Sequence, residues 1–313
     1  MSRNEVEAVT GAFGFTGKYI ASRLLATEPL IRTLTNSIYR PNPFGKHIEI
    51  FPYHFDSPDD LARALEGVQV LYNTYWVRFN HPQFTFDQAV ENCKTLFKCA
   101  RKAGVERIVH ISIVNNSLDS PFEYFRGKAR VEQELQSSGL SYAILRPAVL
   151  FGSEDILINN IAWALRTFPL FLVFGTGNYK LQPIYVGDLA ELAVQQGRAK
   201  ENSVIQAIGP ETYSFHGMVR FIGQALGKSR PILRVPPLLG YWLTRVAGYI
   251  LGDVLLTRDE VQGLVSGLLY VDAPPAGKTR LSEWVRRHAH TLGREYRSEL
   301  QRRFDRHNPY AGY

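Results

Sequence analysis

Two side chains that could carry out acid–base chemistry, Tyr124 and Lys128, lie four residues apart in Tyr-Phe-Arg-Gly-Lys. On a helix, residues i and i+4 share one face. A neighbouring ammonium group stabilises the phenolate and lowers the tyrosine pKa, which is about 10 in a free side chain. Such a tyrosine can exchange a proton with a carbonyl or an alcohol, and Ser112 could bond the same oxygen. The alternative is that Tyr124 is a core aromatic residue.

The glycine run from Thr10 to Gly17 reads Thr-Gly-Ala-Phe-Gly-Phe-Thr-Gly. It follows a strand-like segment and precedes one with helical spacing. In that context glycines let the backbone approach a pyrophosphate, and the helix N-terminus supplies free N–H groups. The run predicts a dinucleotide site; the alternative is a strand–turn–helix unit that has lost its ligand. The candidate cofactor-binding residues here are Gly11, Phe13, Gly14, Phe15, Thr16 and Gly17.

The second predicted strand bears on the choice of cofactor. NAD sites usually carry an acidic residue about twenty positions past the glycines, on the ribose 2′-hydroxyl. Here no carboxylate lies between Glu28 and Glu49, and Asn36 occupies the expected position. The basic residues of the segment are Arg32, Arg40 and Lys46. A 2′-phosphate would therefore meet donors and no repulsion, which favours NADP(H) over NAD(H), unless these basic residues are simply solvated.

Other kinds of site find little support in the sequence. The eight histidines form no group with metal-ligand spacing, so we predict no metal, and no G-x-S-x-G nucleophile elbow is present. The two cysteines, Cys93 and Cys99, exclude a disulfide scaffold. We expect them to be reduced packing residues of a cytoplasmic protein, and the first eight residues do not resemble a signal peptide.

The first half of the chain alternates strand-like and helix-like segments, which is typical of a parallel sheet covered on both faces. After Gly152 helical segments dominate, with short strands between them and some strands expected to return to the first domain. The predicted fold is therefore α/β, a Rossmann-type doubly wound parallel sheet with a smaller C-terminal α+β substrate lobe. The predicted domains are residues 1–152 and 153–313. Within the second we expect one long helix over Leu281–Phe304, and Asp188 as the N-cap of a helix over Leu189–Arg198.

The net charge of +7 is partly local, because eight arginines face four carboxylates from Arg280 to Arg306. This pattern indicates a solvated helix, an anionic membrane surface or an acidic protein partner. Nucleic acid is not expected, since no recognition motif accompanies the charge. The apolar region Val235–Leu256 contains Arg245, Asp253 and several glycines and prolines, which argues against a membrane span. It is expected to be a half-buried helix or an interfacial membrane helix.

The glycine run, Ser112, Tyr124 and Lys128, in this order, resemble the short-chain dehydrogenase/reductase superfamily. Further segments resemble its extended and atypical, NAD-dependent epimerase/dehydratase-like branches: Glu91–Leu96, Leu145–Gly152 and Tyr185–Ala190. The atypical group includes the complex I dehydrogenase-like accessory subunit, divinyl-chlorophyllide-type reductases and NmrA-like regulators. Leu269–Trp284 is similar to C-terminal segments of the first of these.

The resemblance implies a role for each matching residue. Tyr124 would be the acid/base, Lys128 would bind the nicotinamide ribose, Ser112 would hold the substrate oxygen, and Pro147 would face the nicotinamide. The segments that would contact the rest of the cofactor follow the third and fourth strands, at Phe55 and at Asn73, Thr74 and Tyr75. Bulky Tyr75 and Trp76 would narrow the space over the cofactor, stack on a flat substrate or pack against the lobe.

Three functions remain open at this stage. The first is an NAD(P)H-dependent oxidoreductase, or a related epimerase or dehydratase, acting on a carbonyl or alcohol. The second is a non-catalytic NADP(H)-binding structural or accessory subunit, whose basic C-terminal part would attach it to a membrane surface or protein partner. The third is an NmrA-like redox-sensing regulator. Aromatic residues of the second half suggest a hydrophobic substrate, although they could equally form the core.

Overall fold

The computed structural model describes residues 6–27 and 30–304. Among these, residues up to 146 together with 189–205 form a first unit, and residues 147–188 together with 206–304 form a second. Two predictions lie partly outside the described residues. They concern the first eight residues and the end of the basic run from Arg280 to Arg306. Within the described part, no helix is long and apolar enough to cross a bilayer.

Strands and helices alternate from the first described residue to residue 147. Their bounds are β1 (Val6–Thr10), α1 (Phe15–Leu24), β2 (Ile31–Leu34), β3 (Ile48–Phe51), α2 (Pro58–Ala64), β4 (Val68–Asn73), α3 (Phe86–Lys102), β5 (Arg107–Ile111), α4 (Glu123–Ser137) and β6 (Ser141–Pro147). The later elements are β7 (Val149–Phe151), α5 (Leu157–Thr167), β8 (Phe171–Phe174), β9 (Lys180–Leu181), β10 (Pro183–Tyr185), α6 (Val186–Gly197), β11 (Ser203–Ala207), β12 (Tyr213–Ser214), α7 (Phe215–Ala225), β13 (Ile232–Val235), α8 (Pro237–Leu251), α9 (Arg258–Val265), α10 (Leu281–His288) and α11 (Glu299–Phe304).

One sheet of seven strands organises the first unit, in the order β11-β6-β5-β4-β1-β2-β3. The pairs from β3 to β6 are parallel. The chain steps outward from β1 to β3 and then crosses back to β4, so the order reverses between β1 and β4. Ligands of such sheets bind at the carboxyl ends of the strands beside this reversal. The predicted Rossmann-type fold is confirmed.

The long helices of the first unit follow from their apolar spacing. In α3 the buried residues include Ala89, Val90, Cys93 and Leu96, which recur on one face. Thr85 caps this helix by accepting a hydrogen bond from the backbone N–H of Gln88. The helix α4 contacts α3. These two helices supply the side chains that frame one side of the candidate site.

The second unit has its own core and three two-stranded sheets, pairing β10 with β7, β12 with β9, and β13 with β8. Asp188 lies inside the first turn of α6, which begins at Val186, so the predicted N-cap was wrong. The Asp188 carboxylate instead accepts hydrogen bonds from the backbone N–H groups of Lys278 and Thr279, at 2.8 and 2.6 Å. It therefore fixes a distant segment rather than its own helix.

The single C-terminal helix predicted over residues 281–304 was also wrong. α10 ends at His288 and α11 begins at Glu299. Between them Gly293 has φ +68°, and a Cβ there would lie 2.3 Å from the backbone nitrogen of Trp163. The close approach and the positive φ both require glycine and interrupt the helix. Arg166 then binds the carbonyl oxygens of Ala289 and Leu292, which holds the interruption in place.

Candidate cofactor and active site

The glycine loop between β1 and α1 has a backbone geometry that side chains would destroy. Gly11 has φ +66°, and its N–H donates to the carbonyl oxygen of Leu34 at 2.8 Å. A Cβ on Gly17 would lie 2.2 Å from the carbonyl oxygen of Gly11, whereas one on Gly14 would lie 3.2 Å from the same atom. Gly11 and Gly17 are thus required by conformation and by close packing.

The first turn of α1 meets the requirements of an anion site. Its N-cap, Gly14, makes no side-chain capping bond, and no acidic residue lies in the first turn. The leading N–H groups of a helix have no partner within the helix, and the helix dipole favours negative charge there. Phe13 is buried beside this turn, while Phe15 and Thr16 are half-buried in it. The residues present therefore fit a pyrophosphate group.

The ends of β1 and β4 are joined by hydrogen bonds around Thr10. Its Oγ1 accepts from the backbone N–H groups of Thr74 and Tyr75, at 2.7 and 3.1 Å. It also donates to Oδ1 of Asn73, whose side chain is fully buried. The Asn73 amide donates in turn to Nδ1 of His110 at 3.1 Å. This network fixes the loop after β4, where cofactor contacts were predicted.

Three aromatic rings, those of Tyr53, Phe55 and Tyr75, pack together near the glycine loop. Tyr53 stacks on Phe55 at 4.8 Å, and the Tyr75 ring lies 5.1 Å from each of them. A Cβ on Gly11 would lie 3.7 Å from the Tyr53 hydroxyl. Burial raises the pKa of Tyr53, so this phenol stays neutral. Asn92 donates to the Tyr75 hydroxyl at 2.7 Å and orients that ring.

The basic residues near β2 differ in their burial and contacts. Arg32 forms an ion pair with Glu49 at 3.2 Å and donates to the carbonyl oxygens of Ala64 and Glu66. Its guanidinium group therefore binds other groups of the protein and is not available to a 2′-phosphate. Arg40 is buried in the turn after β2, and Asn36 is exposed. Arg40 lies four residues after Asn36, which occupies the expected 2′-phosphate position.

Tyr124, near the start of α4, lies in an aromatic cluster. Its ring is edge-on to Trp76 at 6.0 Å and to Phe86 at 5.8 Å. A Cβ on Gly127 would lie 3.0 Å from Cη2 of Trp76, so the glycine lets the indole lie close against α4. The indole N–H is buried, and no acceptor for it is found among the described residues.

Lys128 is a buried cation on the same helix. Its ammonium group donates to the carbonyl oxygen of Ile111 at 2.7 Å and lies 4.6 Å from the ring centroid of Trp76. Burial lowers the pKa of Lys128 to about 8, and the nearby Cys93 and Glu132 oppose that effect. Burial and the Lys128 charge together hold the pKa of His110 well below its usual range. His110 is therefore neutral.

Ser112, just after β5, is held by a chain of polar side chains. Its hydroxyl oxygen accepts from the Asn116 amide at 2.9 Å, and the same amide donates to Glu132. Glu132 is buried and paired with Arg146, whose Nε lies 3.0 Å from its Oε1. Because the Ser112 oxygen already accepts a bond, its own O–H is left to donate. A substrate oxygen is a suitable acceptor for that bond.

Residues 11–158 match the family model described as NAD(P)H-binding. This part of the chain, just under half of it, is therefore similar to NAD(P)H-binding domains. Over 282 residues the protein is 25% identical to the mouse (Mus musculus) mitochondrial NADH dehydrogenase (ubiquinone) 1 alpha subcomplex subunit 9, covering 86% of this chain and 74% of that one. The predicted resemblance to the atypical short-chain dehydrogenase/reductase proteins is confirmed.

Two solved structures share the fold of the chain. The Escherichia coli NADPH-dependent quinone oxidoreductase, complexed with NADPH, has a TM-score of 0.71 and 22% identity, over 90% of this chain and 98% of its own. The Citrobacter triphenylmethane reductase, complexed with NADP(H), has a TM-score of 0.67 and 19% identity, over 91% and 99%. At these identities the likeness establishes an oxidoreductase/epimerase-like fold and no particular reaction.

Within residues 11–158, several residues that shape the site were not predicted from the sequence. Tyr53 completes the aromatic trio, and the Glu132–Arg146 pair holds Ser112 through Asn116. These contacts join residues that are far apart in the chain, so no local sequence pattern predicts them. Pro147 belongs to the second unit and keeps its role as a prediction. Among the described residues, no group of three His, Cys, Asp or Glu side chains is arranged for a metal ion.

Proposed function

We propose that the protein is an NADP(H)-dependent oxidoreductase that interconverts a carbonyl and an alcohol. The observation that carries the proposal is the position of Tyr124 and Lys128 one turn apart on α4, in a domain whose glycine loop fits a pyrophosphate. A proton donor and a cation on one helix face are what this chemistry requires. As the sequence predicts, residues 1–152 would bind the nucleotide and residues 153–313 would bind the substrate.

The cofactor would be held along the carboxyl ends of the strands. Gly11, Gly14 and Gly17 would leave room for the pyrophosphate, and the first turn of α1 would donate to it. The preference for NADP(H) is supported by Arg40 and by the absence of a carboxylate just after β2. The loop residues Asn73, Thr74 and Tyr75, together with Phe55, would border the rest of the nucleotide. When bound, the reduced nicotinamide supplies a hydride.

The chain's own residues would supply the proton and orient the substrate. Ser112 would donate a hydrogen bond to the carbonyl oxygen, and Tyr124 would deliver the proton that completes the alcohol. Lys128 would favour the phenolate form of Tyr124 and bind the nicotinamide ribose. The aromatic surroundings of Tyr124 support a hydrophobic substrate, and an epimerase or dehydratase reaction would use the same groups. Buried, unpaired Cys93 and Cys99 support a reducing, cytoplasmic location.

Replacing Tyr124→Phe tests this role. We expect turnover of carbonyl substrates to fall by roughly 10²–10⁴-fold, because the proton donor is lost while its ring packing is kept. The dissociation constant for NADPH should change little. Tyr142→Phe, which removes a hydroxyl elsewhere in the first unit, is the matched control. Equal loss in both variants, or full activity of Tyr124→Phe, would contradict the proposal.

A second candidate function is that of a non-catalytic NADP(H)-binding subunit, and Trp76 is the observation that favours it. Its indole lies against Gly127 and under the Lys128 ammonium. An enzyme would need open space for its substrate on this face of α4. The likeness to a mitochondrial NADH dehydrogenase subunit agrees with this role and with attachment to a larger assembly. Bound cofactor that never turns over, and whose removal lowers the melting temperature, would favour it.

A further inference from the structure

Helix α8 of the second unit turns its large apolar side chains toward solvent. Along this helix, all of which the structure describes, Tyr249 is 91% exposed and Ile250 77%. The exposed apolar residues are Leu238, Leu239, Trp242, Leu243, Val246, Tyr249 and Ile250. At 3.6 residues per turn they form one continuous stripe, roughly 140° wide. We call these seven residues the α8 apolar face.

The opposite side of α8 consists mainly of small residues and contacts the protein. A Cβ on Gly240 would lie 2.2 Å from the Phe174 ring, and one on Gly248 would lie 2.6 Å from the carbonyl oxygen of Asp253. Thr244 and Ala247 lie between these two glycines on the same side. This is the reverse of an ordinary amphipathic helix, which buries its large apolar residues. The close packing of small residues fixes α8 with its apolar face outward.

The segment of sequence that contains α8 is positively charged. From Thr212 to Gly252 the sequence contains no aspartate or glutamate and five cations: Arg220, Lys228, Arg230, Arg234 and Arg245. Arg245 borders the face and lies 5.5 Å from the ring centroid of Trp242. The next carboxylate, Asp253, is buried and accepts hydrogen bonds from the Tyr296 hydroxyl and two backbone N–H groups. It presents no negative charge beside the face.

We propose that the α8 apolar face inserts into the interfacial region of an anionic phospholipid bilayer. A 15-residue helix is too short to cross a membrane, but it can lie in the membrane plane with its apolar face among the acyl chains. Trp242 and Tyr249 are residue types enriched at that depth, and Arg245 can extend along the helix toward phosphate groups. The excess of cations over carboxylates from Thr212 to Gly252 matches an anionic surface.

Vesicle flotation of the full-length protein tests the proposal. We expect binding to vesicles of equal parts phosphatidylcholine and phosphatidylglycerol, and much weaker binding to phosphatidylcholine alone or at high salt. Val246→Glu combined with Ile250→Glu should weaken binding by roughly tenfold or more, since two charges would enter the apolar layer. Both positions are exposed, so the fold should tolerate them. Leu118→Glu, an exposed apolar residue of the first unit, is the matched control and should bind normally.

Trp242 fluorescence gives a second, independent readout. Brominated lipids should quench it in the natural protein, and Trp242→Phe should remove that quenching while the other tryptophans stay unaffected. Failure to bind anionic vesicles at low salt, or unchanged binding by the double variant, would overturn the proposal. A third outcome would also overturn it: the natural protein forms a concentration-dependent dimer and does not bind vesicles, and the double variant is monomeric. The face would then be a protein interface.

Discussion

The two ends of the candidate cofactor site are built in different ways. At the glycine loop the backbone defines the site, through the positive φ of Gly11 and the contact between Gly17 and the Gly11 carbonyl oxygen. At the Tyr124 end, side chains define it, and Trp76 and Phe86 surround the tyrosine. At the first end, the first turn of α1 has no side-chain cap and no acidic residue. The second is densely aromatic and contains a buried cation.

This contrast separates nucleotide binding from catalysis. A pyrophosphate needs only N–H groups and room, so the glycine loop alone supports affinity. A reaction additionally needs space beside Tyr124 and a correctly charged Lys128. The glycine loop therefore accounts for NAD(P)H binding in either proposed function, and the state of the aromatic end decides between enzyme and accessory subunit.

The largest expected effect concerns Gly17. We expect Gly17→Ala to weaken NADPH binding by roughly a hundredfold or more, because the new methyl would displace the Gly11 carbonyl and the backbone around the pyrophosphate. Gly14→Ala, whose Cβ meets the same oxygen at 3.2 Å, is the matched control and should lose far less. Titration of both variants with NADPH, after circular dichroism verifies folding, measures the difference. Equal affinities would mean that the loop does not hold the nucleotide.

A smaller effect is expected at the aromatic end. Trp76→Ala should lower the free energy of unfolding by about 2–3 kcal/mol, since it removes a half-buried indole that packs against α4. Its NADPH affinity should stay within a few-fold of the natural protein, because the glycine loop is untouched. Trp242→Ala, at an exposed tryptophan, should leave stability almost unchanged. If Trp76→Ala lost as much NADPH affinity as Gly17→Ala, both ends would contribute to nucleotide binding, and the separation of the two ends would be contradicted.

The most gradual effect, spread over several pH units, concerns the charge of Lys128. Burial lowers its pKa from 10.5 to about 8. Between these values the unfolded chain binds a proton that the folded protein does not, so stability rises with pH across that window. Relative to Lys128→Met, the natural protein should gain at most about 1.4 kcal/mol per pH unit there. Below the window the cost of burying the charge is constant.

Urea unfolding across this pH range measures that gain, and Lys98→Met, at an exposed lysine of α3, is the control that should show no such trend. A constant difference between the natural protein and Lys128→Met would mean that the ammonium group is not buried as described.

Much of the first unit could be predicted from sequence because its signals are local. The glycine run, the alternation of apolar segments and the order of Ser112, Tyr124 and Lys128 each lie within short stretches, and the strand order 3-2-1-4-5-6 follows once crossovers are right-handed. Residue pairs that the sheet brings together were harder to predict from the sequence. The pairing of Arg32 with Glu49 depends on the β2–β3 register, so a cation expected to be available for a phosphate is neutralised.

The second unit was predicted less well for a similar reason. The pattern over residues 281–304 is helical throughout, and only the close approach of Gly293 to α5 reveals the interruption. Asp188 has the residue type of an N-cap, yet its partners lie about ninety residues further on. For α8 the sequence left two alternatives open, a half-buried helix and an interfacial one, because periodicity gives the stripe and not the side that faces the core.

Nucleotide content tests the central claim, NADP(H) binding at the glycine loop, most directly. The purified protein would be denatured, its released nucleotide identified by mass spectrometry, and the emptied protein titrated with NADPH and NADH. We predict that NADP(H) is released and that NADPH binds more tightly than NADH. If neither nucleotide is released and neither binds, the glycine-loop site and every role assigned to Tyr124 are contradicted.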